Sequence, residues 1–299
     1  MTHVRLVAWC AIARGSWQIF RGAAHSHSTG STNSCRGDVG ERGPGCGTIQ
    51  SVPLERIALI SDVHGNLTAL DAVLDDIESR GIERIINLGD FVGKGPRGGE
   101  VVDRCDKACD VNIRGNWDDF LPAWTDESSP EMIWWRDELR EDQRDWLRAL
   151  PLSHDLLISG RHIRLFHASA TSPHVRVHFH HTTEEFEGMF ANTPMTGGGA
   201  KPSMVGYGDI HDVFVEVERG RTLFNVGSVG NPLDEPVPSY AILEGMVGEP
   251  EQAPFGLHFI RVPYDIEAEI DVAAGLGMPQ LEPYAIELRT AVYRGFQEL

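Results

Sequence analysis

Four short apolar runs in the sequence are each followed by a side chain that can bind a metal ion. In order along the chain these side chains are Asp62 with His64, then Asp90, Asn116 and His167. In layered α/β proteins the carboxyl ends of neighbouring strands open on one crevice, so ligands that are distant in sequence converge there. The sequence therefore predicts one metal centre at the edge of a sheet.

The chemistry of this ligand set favours hydrolysis of a phosphate ester. Its members offer carboxylate oxygen, amide oxygen and imidazole nitrogen but no thiolate, which suits manganese, iron or zinc. A carboxylate such as Asp90 can bridge two cations, and a hydroxide bound between the cations can attack a phosphoryl group. We therefore predict two divalent metal ions, manganese first and iron, zinc or magnesium as alternatives, and a phosphate-ester substrate.

Six blocks of the sequence, in this order and spacing, resemble those of the calcineurin-like metallophosphoesterases, in particular the small bacterial and archaeal phosphoesterase branch. The blocks are Ser61 to Asn66, Leu88 to Asp90 with Gly93, Gly95 and Pro96, Arg114 to Asn116, His167, Gly208 to His211, and Asn225 to Gly230. The resemblance covers about residues 56–245. It implies a mixed α/β fold of four layers, with two central mixed sheets flanked by helices and a two-metal site at their edge.

The resemblance also implies a set of ligands for each metal. Three residues would bind the first metal, two would bind the second, and one carboxylate would bridge them. These are Asp62, His64 and His211 for the first, Asn116 and His167 for the second, and Asp90 as the bridge.

Two positions depart from the family pattern. Trp117 stands where the family usually has a histidine that positions the substrate or protonates the leaving group. Because an indole does not donate a proton at a useful pKa, we expect substrates with good leaving groups, or proton transfer from water or Asp118. Asp209 stands in place of a family histidine, and it is either an oxygen ligand that favours manganese or magnesium, or a loop aspartate.

Other polar groups near these blocks have two interpretations each. Arg114 either contacts phosphate through its guanidinium or pairs with an acidic neighbour. Lys94 could reach a phosphate, although its segment lacks the full P-loop pattern. A group of histidines follows in an irregular segment. We expect these to be solvated loop residues, with contact to the substrate as the second interpretation. They are His174, His178, His180 and His181.

The chain divides at about residue 54. Residues 1–54 are rich in arginine, serine, glycine and cysteine and are predicted to be a disordered extension. They resemble a targeting peptide only weakly, and translation from an upstream start codon is the favoured origin. Residues 55–299 alternate strand and helix patterns, which predicts an α/β metallophosphoesterase domain.

Three expectations concern the later part of this domain. One helical insert, at about residues 120–150, should use Trp134, Trp135 and Trp146 for core or cap packing and not as a ligand platform. The strands that follow it are separated by little helix and should therefore pair largely antiparallel. Two C-terminal helices, at about 267–299 and split near Gly277, should either cover the pocket or form a homodimer contact.

The composition limits the function classes. A formal net charge of −18 argues against a general nucleic-acid binder, because phosphate backbones need a basic protein face. No apolar run reaches the roughly 18 residues that cross a bilayer, and the five cysteines do not suggest a disulfide framework. We expect a cytoplasmic hydrolase of a phosphomonoester or phosphodiester, without membrane contact. The alternative is a weakly active or inactive protein of the same fold that acts as a binding or scaffold module.

Overall fold

The structure is a computed structural model that describes residues 54–297. The prediction of a disordered extension falls almost wholly outside these residues. The strands are β1 (Glu55–Ile60), β2 (Arg84–Asn87), β3 (Val111–Asn112), β4 (Ser153–Ile158), β5 (Arg161–Phe166), β6 (Met204–Tyr207), β7 (Val213–Glu218), β8 (Arg221–Val226), β9 (Ser239–Gly245) and β10 (Phe255–Arg261). The helices are α1 (Leu67–Ser79), α2 (Gly98–Ala108), α3 (Asn116–Phe120), α4 (Pro130–Asp137), α5 (Glu141–Ala149), α6 (Thr183–Met189), α7 (Ile266–Gly275) and α8 (Leu281–Thr290), with short 3₁₀ turns at Leu121–Ala123 and Arg294–Phe296.

The first sheet carries the opening strands of the domain. Its strand order is β10-β9-β1-β2-β3. Strands β1, β2 and β3 run parallel, whereas β9 is antiparallel to both β1 and β10. The predicted opening strands are confirmed, and their parallel arrangement brings their carboxyl ends to one edge.

The second sheet differs in part from the antiparallel pairing predicted for the later strands. Its order is β4-β5-β6-β8-β7, and only the outer pairs β4-β5 and β7-β8 are antiparallel. Strand β6 was not predicted from the sequence, and it pairs parallel with both β5 and β8. Its four residues are all buried, so they show no polar alternation that would mark a strand. The second sheet therefore also directs parallel strand ends to the site.

Alternating side chains of the strands divide the core into layers. In β1, Ile57 and Leu59 face the second sheet, where they pack in a cluster that includes Leu165 and Phe224. The intervening Ala58 and Ile60 pack instead against helices of the first sheet's outer face, in a cluster with residues of α1, α2 and α5. Helix α6 covers the opposite face of the second sheet. Helix, sheet, sheet and helix thus form the four layers that the resemblance implied.

The predicted helical insert is present but is divided into α4 and α5. Helix α5 begins after Arg140, whose backbone N–H donates to the Gln143 side chain at 3.0 Å. Trp135 and Leu147 are buried, and Trp134 and Trp146 pack against the same core. The tryptophans are therefore core residues, as predicted.

The C-terminal helices α7 and α8 are separated at Gly277, as predicted, where the backbone has a φ of +67°. The buried Tyr284 of α8 donates a hydrogen bond to Glu269 of α7 at 3.3 Å. Buried Glu287 accepts a hydrogen bond from the side chain of Asn231 at 3.2 Å, which joins α8 to the loop that follows β8. The homodimer contact stays a prediction. None of the helices in residues 54–297 is long and apolar enough to span a membrane.

Candidate metal centre

The side chains predicted to bind metal converge at the carboxyl ends of parallel strands. They follow β1, β2, β5 and β6, and Asn116 opens α3 directly after β3. Five of the six are at most 2% exposed, and Asn116 is half-buried. The five are Asp62, His64, Asp90, His167 and His211.

One group of ligand atoms contains Asp62, His64 and His211. Nε2 of His211 lies 3.2 Å from Oδ1 of Asp62 and 3.2 Å from Nε2 of His64. These three side chains are close enough to hold a single cation. They are the residues that the resemblance assigned to the first metal.

A second group lies beside the first and contains Asp90, His167 and Asn116. Nε2 of His167 lies 3.1 Å from Oδ1 of Asn116 and 3.5 Å from Oδ1 of Asp90. The other carboxylate oxygen of Asp90 lies 3.4 Å from Nε2 of His64. Asp90 thus presents one oxygen to each group, which is the position expected of a bridging ligand. Asp62, Asp90 and His167 also form a trio that could hold a cation.

Backbone carbonyl groups orient all three histidines in the same way. Nδ1 of His64 lies 3.1 Å from the Val92 carbonyl, and Nδ1 of His167 lies 3.0 Å from the Leu88 carbonyl. Nδ1 of His211 is bonded to the Asn231 carbonyl. A carbonyl only accepts, so each Nδ1 carries a proton and each Nε2 is turned toward the site. This is the outer arrangement typical of histidine metal ligands.

The ligand atoms fit a divalent cation by their own chemistry. Oδ1 of Asp62 is buried and accepts no hydrogen bond from any residue between 54 and 297. A buried carboxylate oxygen without a donor is costly unless a cation satisfies it. Burial, and then the charge of Lys94, lower the pKa of His64 well below its usual value, which keeps its imidazole in the neutral, metal-binding form. Although burial opposes charging of His167, Asp90 raises its pKa to about 10, a sign of the negative charge gathered here.

Asp118 holds the loop that carries Asp90. Its carboxylate accepts from the backbone N–H groups of Asp90 at 2.7 Å, Phe91 at 2.9 Å and Gly115 at 2.8 Å. Burial, and then the charge of Asp90, raise the pKa of Asp118 to about 7. With both oxygens engaged by the backbone, Asp118 positions Asp90, and this geometry disfavours its predicted alternative role as a free proton donor.

Trp117 forms a wall of the site. Its ring stands edge-on to Trp135, with centroids 5.8 Å apart, and edge-on to His64 at the same distance. Gly93 packs so closely that a Cβ added there would lie 2.1 Å from the Trp117 ring. The backbone N–H of Trp117 donates to Oδ1 of Asp90 at 2.9 Å. Trp117 therefore shapes the site by packing and by its backbone.

Asp209 lies inside the centre and has an arginine partner that the sequence did not indicate. Its carboxylate accepts two hydrogen bonds from Arg176, both of 2.9 Å. One of its oxygens lies 3.9 Å from Nε2 of His167. Asp209 therefore lies beside His167, and its carboxylate is paired with the exposed Arg176. No pattern in a single sequence pairs two residues that are 33 positions apart.

Arg114 and the loop histidines are engaged in other contacts. Arg114 pairs with Asp119 at 3.3 Å and donates to the Arg148 carbonyl at 2.9 Å, in agreement with the acidic-neighbour interpretation. His174 contacts the same Asp119 at 2.8 Å. His178 and His180 are exposed. In residues 54–297 the groups able to hold a metal contain none of these histidines.

The last sequence block, Asn225 to Gly230, braces the first metal ligand. The backbone N–H groups of Val229 and Gly230 donate to the carbonyls of Ser61 and Asp62, each at 2.9 Å. The Ser228 hydroxyl also donates to the Asp62 carbonyl, at 2.7 Å. A Cβ on Gly230 would lie 1.7 Å from the Val63 carbonyl oxygen, so only glycine fits. The block thus fixes the backbone that carries Asp62.

Comparisons with known proteins agree with this architecture. An uncharacterized protein of Methanocaldococcus jannaschii, MJ0912, is 29% identical over 235 residues, which are 71% of this chain and 88% of that protein. A symmetrical bis(5'-nucleosyl)-tetraphosphatase of Paracidovorax citrulli is 31% identical over 121 residues, or 36% of this chain and 42% of its own length. The crystal structure of a metallophosphoesterase from Sphaerobacter thermophilus superposes with a TM-score of 0.60 at 26% identity, covering 80% of this chain and 99% of that one. The model of the calcineurin-like phosphoesterase superfamily domain matches residues 56–246, so this chain belongs to that superfamily.

Proposed function

We propose that the chain is a metal-dependent hydrolase of phosphate esters. The observation that carries the proposal is the pair of adjacent ligand groups, linked through the two oxygens of Asp90. Two divalent cations held there supply an activated water as the nucleophile and neutralise charge on the phosphoryl oxygens. Because the cations are the largest local charges, the net negative charge of the chain does not exclude an anionic substrate.

The residues of the chain would prepare this chemistry before the substrate arrives. The carbonyl groups on each Nδ1 hold the three imidazoles in the orientation that turns Nε2 toward the centre. The backbone N–H of Trp117 and the Asp118 carboxylate fix the side chain and main chain of Asp90. Preorganised ligands need little rearrangement when charge develops in the transition state.

We propose that the substrate has a good leaving group. The place where the family usually has a proton-donating histidine holds Trp117, and the carboxylate of Asp118 is fully occupied by backbone donors. A phosphodiester or an activated phosphoryl group depends less on a proton donor than an alkyl monoester does. The partial similarity to a bis(5'-nucleosyl)-tetraphosphatase makes dinucleoside tetraphosphates a further class to assay.

Manganese is the proposed metal. Mixed carboxylate, amide and imidazole ligands suit manganese, iron or zinc, and an additional oxygen from Asp209 would favour manganese or magnesium. We also propose a cytoplasmic location, in line with the free thiols of Cys105 and Cys109.

The deciding experiment is turnover by the purified protein after chelation and reloading with manganese, zinc or magnesium. A nitrophenyl monoester, a bis-nitrophenyl diester and a dinucleoside tetraphosphate would be compared. We expect metal-restored turnover that Asp90→Asn and Asn116→Ala abolish, and that His180→Ala, in an exposed loop, leaves intact. Turnover that survives both site substitutions would disprove the proposal.

A second candidate is a binding module that keeps the fold without catalysis. Its supporting observation is the bidentate contact of Arg176 with Asp209, which places a positive charge where the family has a metal ligand. The two candidates predict different metal contents. Less than one metal per chain after reloading, together with no turnover, would favour the binding module.

A further inference from the structure

Strand β7 carries an uncovered row of apolar side chains at one end of the second sheet. It is the last strand of that sheet, and Val215 and Val217 on it are 51% and 69% exposed. Both valines lie on the face that points between the two sheets, because Val215 is paired with Phe224, a member of the core cluster there. The ring of Phe224 lies 6.5 Å from the ring of Phe259 in β10, the end strand of the first sheet. The first sheet therefore ends before it reaches β7.

The outer edge of β7 also has free backbone groups. A two-residue turn at 219–220 joins β7 to β8, and Glu218 and Arg221 are paired on either side of it. In such hairpins the flanking residues bond to each other, and residues that point toward the neighbouring strand then alternate with residues that point away. Val215 and Val217 therefore direct their N–H and C=O groups away from β8.

A side chain engages the outward N–H at the start of β7 but not farther along. The N–H of Val213 donates to Oδ2 of Asp234 at 2.9 Å, which agrees with the outward direction of this row. Within residues 54–297, no group accepts a hydrogen bond from the N–H of Val215 or Val217 on this side. The free part of the edge is therefore centred on Glu216.

The other three sheet edges are short or covered. Strand β3 has two residues, and the apolar side chains of β10 are half-buried against the core. Strand β4 is bonded to the segment that follows β9, through the N–H of Gly248 to the Leu157 carbonyl at 2.7 Å and the N–H of Ser159 to the Met246 carbonyl at 2.9 Å. Proteins protect a free edge with lysine, proline or a bulge, and the sequence of β7 has neither lysine nor proline. Strand β7 thus has the features of a strand that pairs with another chain.

The two ends of β7 carry opposite charges. The end near the metal centre lies beside Asp234 and Glu235, two carboxylates that share Arg261 as their partner. The turn at the other end carries Arg219, whose side chain is 69% exposed and approaches carboxylates only at 3.6 Å and 3.7 Å. An antiparallel arrangement of two copies brings the basic end of each β7 to the acidic end of the other.

An antiparallel pair with Glu216 on its two-fold axis satisfies these groups together. Val215 of one copy then lies opposite Val217 of the other, and the outward N–H and C=O groups of both valines bond across the interface. Arg219 of one copy comes opposite Val213 of the other and beside its Asp234. Apolar and oppositely charged pairs across strands are stabilising, whereas the two Glu216 side chains oppose pairing. Each Glu216 lies 2.8 Å from His181 of its own chain, which offers it a partner.

We propose that the chain forms a homodimer in which β7 of each copy pairs antiparallel with β7 of the other. The two second sheets then form one continuous sheet, and the same surface is used by both copies, as in other two-fold dimers. The proposal places the dimer contact on β7 and not on α7 and α8. It does not depend on the proposed hydrolysis.

The test is sedimentation velocity of the full-length protein over a range of protein concentrations. We expect a dimer whose Kd rises at least about tenfold in Val217→Lys, because a lysine on a free edge opposes pairing and both copies carry it. Arg219→Glu should also weaken the dimer, since it brings like charges together at both ends. Leu276→Lys is the matched control, because Leu276 is 52% exposed at the end of α7, and it should behave as the parent protein does.

Glu216→Gln tests the position of the two-fold axis. Removing two like charges that face each other should tighten the dimer by roughly twofold to fivefold. A weaker dimer in Glu216→Gln would contradict the pairing centred on this residue.

Several results would overturn the proposal. A monomeric parent protein would do so, and β7 would then be left to another protein or to residues 1–53. A dimer that Val217→Lys and Arg219→Glu leave unchanged would also do so, and a dimer that Leu276→Lys dissociates would move the contact to the C-terminal helices. Arg219→Glu, in a turn outside the core, keeps the test decisive if Val217→Lys does not fold.

Discussion

Substitution of Gly115 by alanine should damage both the fold and the metal centre, for a steric reason. A Cβ at this position would lie 2.2 Å from Oδ1 of Asp90 and 2.4 Å from its backbone nitrogen. Ordinary contact begins at 3.4 Å, so the atoms would have to separate by about 1.2 Å, the difference between 3.4 and 2.2. The φ of −87° at Gly115 is open to alanine, so backbone strain is not the cause.

The loss of stability in Gly115→Ala can be estimated from the displacement of Asp90. Shifting Asp90 disturbs its hydrogen bonds to Asp118 and from Trp117. Overpacking costs about 1 to 3 kcal/mol, and each lost hydrogen bond costs about 1 kcal/mol. We therefore expect a destabilisation of about 3 to 5 kcal/mol, which lowers the Tm of a domain of this size by roughly 6 to 20 °C.

The assay is thermal unfolding in chelator, followed by measurement of manganese stoichiometry. Gly188→Ala is the matched control, because it lies in α6 and its added Cβ would meet nothing within 4 Å. Removing a helical glycine should stabilise by about 0.5 to 1 kcal/mol, so the two alanine variants should shift Tm in opposite directions. A Gly115→Ala protein that melts with the parent and binds two metals would refute the packing argument.

Three further predictions concern pH, metal and ligand type. Burial raises the pKa of Glu138 from its usual 4.5 to about 8, so the folded state binds a proton that the unfolded state releases, and stability falls as pH rises through this window. Denaturant titrations at pH 5 and pH 8.5 measure the loss of unfolding free energy between these two pH values, and Glu138→Gln should reduce that loss by about 1 to 3 kcal/mol. An equal loss in the variant and the parent protein would contradict the raised pKa of Glu138. Manganese at about 100 times its Kd should stabilise the folded parent protein by about 2.7 kcal/mol, which raises its Tm by roughly 5 to 11 °C. The Asp62→Asn variant should gain less stability from manganese. An equal gain in the variant and the parent protein would argue against Asp62 as a metal ligand. Asp209→His removes the carboxylate that pairs with Arg176, and calorimetry should show a higher affinity for zinc relative to magnesium. A lower zinc affinity in the variant would show that the carboxylate is a better zinc ligand than the imidazole.

The sequence was sufficient for the features that depend on short-range pattern. The opening strands alternate with amphipathic helices, and each ends in a polar side chain, so β1, β2 and the convergence of Asp62 and Asp90 could be predicted. The tryptophans at helical spacing were assigned correctly to the core because Trp135 sits beside other apolar residues on one face. Periodicity records which side of an element is buried, and here that information was enough.

The features that escaped prediction depend on contacts between distant segments. Strand β6 is short and buried on both faces, so it lacks alternation, and its parallel pairing is set by β5 and β8. The pairs Arg176 with Asp209 and Lys94 with His211 join positions 33 and 117 residues apart. A single chain without aligned relatives carries no pattern for such pairs.

Backbone conformation at the site adds an argument for function that periodicity does not provide. Within residues 54–297, ten residues other than glycine have positive φ, and six of them belong to the metal centre. They are Asp62, His64, Asp90, Lys94, Asp209 and His211. Each such conformation costs of order 1 kcal/mol or more that glycine would avoid, so stability alone does not explain these side chains. Five of them are proposed metal ligands, and the sixth, Lys94, lies 3.2 Å from Nε2 of His211, so the strained conformations lie where ligand binding can offset their cost.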